Sequence, residues 1–169
     1  MATITELLIA ELDREMAGTR RALERVPEGR DGWKPHEKSM PLGYLARLVA
    51  TMPRWIVSMV SEDAIDLASP GPYAARPLDS TPELVRAFDD ATAAARSALA
   101  ATTDERLLGT RWQLRMQGNV LSDETRYEAI RVAALNHLYH HRAQLTSYLR
   151  LNGEPVPSLY GPSADEPHP

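Results

Sequence analysis

Three of the five histidines fall within five residues: His137, His140 and His141. His137 and His141 are four apart. On a helix they project from one face a turn apart, the spacing at which two imidazoles can bind one metal ion. His140, three residues after His137, falls at the edge of that face, better placed to hydrogen-bond than to join the same ion. Position 138 is leucine, so the two-His-plus-Glu zinc-protease pattern is absent. The same spacing also fits a set of polar positions on a partly exposed helix. Two imidazoles on one helix leave most of a divalent ion in water, so a third ligand must come from elsewhere. Arg142 and Gln144 follow the cluster and could line a cleft, although such helix positions are usually solvated.

Composition excludes several other chemistries. The 169 residues contain no cysteine, which removes disulfides, a thiol nucleophile, Cys-ligated zinc and iron–sulfur clusters. Lys and Arg number 19 against 23 Asp and Glu, a net charge of −4. That balance gives no electrostatic footprint for nucleic acid. No stretch approaches the roughly 18 apolar residues of a membrane span. The first ten residues place Glu6 inside their apolar run and lack a basic start, unlike a secretory signal. The expected compartment is the cytoplasm.

The elements that must position the histidines can be read from apolar periodicity. The length suits one domain over residues 1–169. A first helix is predicted from about Thr3 to Val26, with Ile4, Leu7, Leu8, Leu12, Met16, Leu23 and Val26 at steps of three and four. A polar connection follows, with Trp33 as its anchor. Ser39 is expected to cap a second helix running to about Ser61 and bent at Pro53. A Pro-, Gly- and Ala-rich loop spans Asp66–Asp79. Ser80 and Glu83 have capping-box spacing and start a third helix, about Thr81–Thr102. Residues 109–121 alternate apolar and polar before Gly118-Asn119, so a short extended or hairpin segment is expected. The last helix runs from about Asp123 or Arg126 to Leu151 and stops at Asn152-Gly153. Five prolines make residues 154–169 a non-helical tail. The fold expected is all-α: a four-helix bundle with a short extended or hairpin segment before the last helix.

Two stretches carry a resemblance. One is His137-Leu-Tyr-His-His-Arg-Ala-Gln-Leu-Thr-Ser-Tyr-Leu-Arg-Leu-Asn-Gly, followed by Pro155-Val-Pro and Tyr160-Gly-Pro-Ser-Ala-Asp-Glu. The other is Trp33-Lys-Pro-His-Glu-Lys-Ser-Met-Pro-Leu-Gly-Tyr-Leu. Both resemble the DinB-like (damage-inducible) bacterial family of metal-dependent four-helix proteins. The resemblance implies a bundle around a central cleft and a homodimer. It also implies a divalent ion, nickel or zinc, on three histidines: one from helix two and two that map onto His137 and His141. By register, the helix-two position is Leu48, which cannot ligate a metal. Relatives of this type include transferases and isomerases in which the metal activates a low-molecular-weight thiol. Two readings follow. In one, a metal sits on His137 and His141 with water or an improvised third ligand, His36 being the best by residue type. In the other, the site is degenerate and the chain is a non-catalytic dimeric protein that binds a small ligand or serves in stress.

Overall fold

The computed structural model describes residues 2–68 and 80–167. Helix α1, Ile4–Leu23, starts at a full capping box: Thr3 accepts from the Glu6 amide and the Glu6 side chain accepts from the Thr3 amide. Asp104, at the start of a short helix far along the chain, accepts from the Ile4 and Thr5 amides at 2.9 and 3.0 Å. The expected second helix is two pieces, α2 (Leu42–Thr51) and α3 (Pro53–Ser61), broken where Pro53 has no amide to donate. Its N-cap is Pro41 rather than Ser39. Helix α4, Thr81–Ala100, starts at Ser80 as expected.

A short helix α5, Asp104–Gly109, leads into the hairpin. Strands β2 (Arg111–Met116) and β3 (Asn119–Thr125) pair antiparallel. Gln117 and Gly118 turn the chain with φ of 51° and 79°, the left-handed conformation that a two-residue hairpin turn needs. A third strand, β1 (Ala64–Asp66), runs parallel to β2, giving the order β1-β2-β3. The Asp66 carboxylate accepts from the Gln117 and Gly118 amides and ties β1 to the turn. The all-α expectation is therefore corrected. The chain is mostly helical and carries a small three-stranded sheet; the hairpin was foreseen and its parallel partner was not. Residues 69–79 of the expected 66–79 loop lie outside the described residues.

The last helical unit is also compound. Helix α6 (Arg126–Ala129) passes into a π-helical segment, Ile130–Asn136, and then into α7 (His137–Leu151). Ion pairs give the helix directions. Arg20–Asp89 and Arg96–Asp13 make α4 antiparallel to α1. Arg131–Glu11 and Arg142–Glu15 run the other way, so the last unit is parallel to α1. One core fills the space between the helices, built mainly from aliphatic side chains such as Leu12, Leu45, Met59 and Leu145, with Phe88 and Trp112 among them.

The tail packs back on α1. Glu166 accepts from Arg21, from Arg25 and from the Ser158 amide and hydroxyl. Gly18 leaves room for it, since a Cβ there would stand 2.9 Å from Leu159 Cδ2.

Candidate functional site

The structure brings His137 and His141 together at the start of α7. Their Nε2 atoms are 2.9 Å apart. His141 is buried, 6% exposed, while His137 opens to solvent. The other ring nitrogen of His141, Nδ1, lies 2.8 Å from Gln144 Oε1. That contact sets the Gln144 oxygen against the side of the His141 ring away from His137. Gln144, read from sequence as an ordinary helix-surface residue, thus orients one imidazole.

Electrostatics favour the neutral form of both rings. Burial pushes His141 below the ordinary histidine value, and the nearby His137 and His140 rings add to it against the Gln144 hydrogen bond. Partial desolvation lowers His137 in the same direction, with His140 assisting and the Ala133 carbonyl opposing. Neutral imidazoles are the form that binds metal.

The surroundings are aromatic. Trp55 of α3 meets His137 edge-on, with ring centroids 6.4 Å apart. Trp33, in the connection before α2, packs edge-on against Tyr148 of α7 at 5.4 Å. Trp33 is thus the packing anchor expected of its connection. His140 is exposed, its ring 5.1 Å from that of His141, at the edge of the pair as its spacing implies.

The other residues named from the sequence have their own surroundings. Leu48 is half-buried on α2 against the core. His36 is exposed, and its Nδ1 accepts from the Lys38 amide at 3.2 Å. Arg142 neither lines a cleft nor meets solvent: it is 2% exposed. It donates to the Glu15 carboxylate at 2.9 Å, to the Glu15 carbonyl, to Thr19 and to the Tyr160 hydroxyl. Its guanidinium lies over the Tyr139 and Tyr160 rings. No sequence signal distinguishes it, because its α1 partners, Glu15 and Thr19, sit more than 120 residues away.

The donor set fits a metal held at two points. Zinc–nitrogen bonds are about 2.0–2.1 Å, so a 2.9 Å separation lies within the span of two such bonds. The orienting hydrogen bond on the far side of His141 is the usual support of a metal-ligating imidazole. Among the described residues, no group of three His, Cys, Asp or Glu is placed to hold one ion.

Comparison with known proteins agrees with the sequence resemblance. The family model for the DinB family matches residues 1–168. A crystal structure of a DinB-like protein from Bacillus cereus superposes with a TM-score of 0.70 at 21% identity, covering 94% of this chain and 98% of that one. A DinB-like protein from Bacillus subtilis gives 0.69 at 19% identity, covering 90% and 97%. No curated protein matches the chain. No helix among the described residues is long and apolar enough to cross a membrane. With its matching family model and its shared fold, the chain belongs to the DinB family.

Proposed function

We propose that this DinB-family protein holds a divalent metal, nickel or zinc, on His137 and His141 and uses it on a small molecule. The observation that supports this best is the convergence of the two Nε2 atoms at 2.9 Å. When bound, such an ion supplies Lewis acidity and favours the deprotonated form of a coordinating water or thiol. The chain's own groups do the rest. His141 is held by Gln144, His137 is steadied by the edge of Trp55, and desolvation favours the neutral form of both. With no cysteine in the chain, any thiol taking part arrives as a small cofactor, and the open side at His137 gives it access.

The test is metal analysis of the purified protein after incubation with nickel or zinc and gel filtration, in wild type and His137→Ala. Near-stoichiometric metal in wild type, lost in the variant, is expected. Equal content in both sinks the reading. The family also supports a homodimer, which sedimentation checks as a mass twice the 18.8 kDa of the chain.

A further inference from the structure

We propose that Gln144 is the positioning residue of the histidine pair: it locks His141 in the Nδ1–H tautomer, so that the Nε2 lone pair points at His137. The metal use of that lone pair rests on the function proposed above; the lock itself does not.

A neutral imidazole has one N–H and one lone pair, and its hydrogen-bond partners decide which nitrogen carries which. His141 is buried, so a ring N–H without a partner there would be costly. The Gln144 side-chain oxygen lies 2.8 Å from Nδ1, near the best distance for a nitrogen donor. It accepts and cannot donate, so the proton belongs on Nδ1. The opposite nitrogen then meets His137 Nε2 at 2.9 Å with its lone pair forward. The Ala133 carbonyl takes the ring N–H of His137, so the two Nε2 lone pairs face one gap, and an ion shared by them would sit off the line that joins them.

The i, i+3 offset from His141 to Gln144 puts both on one side of α7, so no other element is needed to hold the ring. Leu145, next along, is fully buried and fixes the rotation of the turn that carries Gln144. The packing that seats α7 therefore also seats the lock. Arg142, adjacent to His141, is tied to Glu15 on α1 and restrains the same turn from the other side.

The experiment compares wild type, Gln144→Leu and Gln144→Glu. Leucine keeps the size and removes the acceptor; glutamate keeps the acceptor. Histidine ¹⁵N shifts at pH 8, without metal, report the tautomer. Wild type and Gln144→Glu should show a protonated Nδ1 and a bare Nε2 at His141. Gln144→Leu should lose that state, and its zinc affinity by calorimetry should fall about 10-fold or more, as for loss of a partner that orients a metal ligand. An unchanged His141 tautomer in folded Gln144→Leu overturns the proposal. If Gln144→Leu does not fold, the wild-type spectrum decides: a proton on Nε2 of His141 overturns it, and a proton on Nδ1, kept in Gln144→Glu, supports it. If no protein binds zinc, the metal function fails while the tautomer result still judges the lock.

Discussion

Arg142 and Glu15 form an ion pair 2.9 Å long whose side chains are 3% and 5% exposed. It joins the metal-proposed helix to α1 in the interior. Tyr160, from the tail, adds its hydroxyl to both groups, 2.6 Å from Glu15. Burial alone would raise the Glu15 carboxyl, but hydrogen bonds from Tyr160 and Arg142 and the Arg142 charge hold it below the ordinary value.

Breaking such a pair leaves a buried charge without its partner. Glu15→Ala should therefore destabilise the fold by about 3–5 kcal/mol. Replacing both members with apolar residues, Glu15→Leu with Arg142→Met, should cost clearly less than the single change. Urea unfolding of the three proteins checks this. A double variant as unstable as Glu15→Ala would show that the pair contributes more than it costs to desolvate.

The pH dependence has a definite sign. His137 and His141 sit below the ordinary histidine value when folded, so the unfolded chain binds more protons as pH drops through about 6.5. Their contribution to stability is complete above that pH and is lost as pH falls toward their lowered folded values. Metal-free wild type should lose denaturation midpoint from about pH 7 to 5, and His137→Gln with His141→Gln should flatten that slope. Thermal melts across the range measure it. Metal binding should persist slightly below the usual histidine range, because protons compete less well for these nitrogens.

Leu48 gives a test of register. If it faces the pair from α2, as the resemblance implies, Leu48→His supplies a third imidazole in place of water. Nickel affinity should then rise at least 10-fold, and His137→Ala in that background should abolish the gain. Calorimetry on the three proteins decides the point. Equal affinity in wild type and Leu48→His would place the side chain elsewhere.

How much was legible follows from where each partner lies in the chain. The His137–His141 relationship is local, i to i+4, so the spacing carried it. The Ser80 cap of α4 and the hairpin turn are local too. The parallel strand β1 is three residues long, and its partner Gln113–Arg115 lies about 50 residues on, which leaves no periodic signal. Arg142 needed Glu15, and Arg126 needed the end of α3. The π segment did leave a trace. At about 100° per residue, buried Arg126, Ala129 and Ile130 define one stripe. Leu138, His141, Arg142, Leu145, Tyr148 and Leu149 define another, about one residue's rotation away. A wide turn of i, i+5 bonds absorbs that offset.

The same offset makes the last prediction. Arg126, 1% exposed, donates to the Met59 and Glu62 carbonyls, to Asp63 and to Thr110, closing the C-terminal end of α3. Arg142 anchors the other end of the unit on α1. Only the wide segment lets both be met. Deleting Val132, which is 55% exposed, should return the segment to regular α-helix and force one anchor to give way. The deletion should cost several kcal/mol, and less by about 1–3 kcal/mol when Arg126→Ala has already removed one anchor. Denaturant unfolding of the single and combined variants measures that coupling. Strict additivity would mean that the π turn does not reconcile the two anchors, and that its seven residues serve local packing alone.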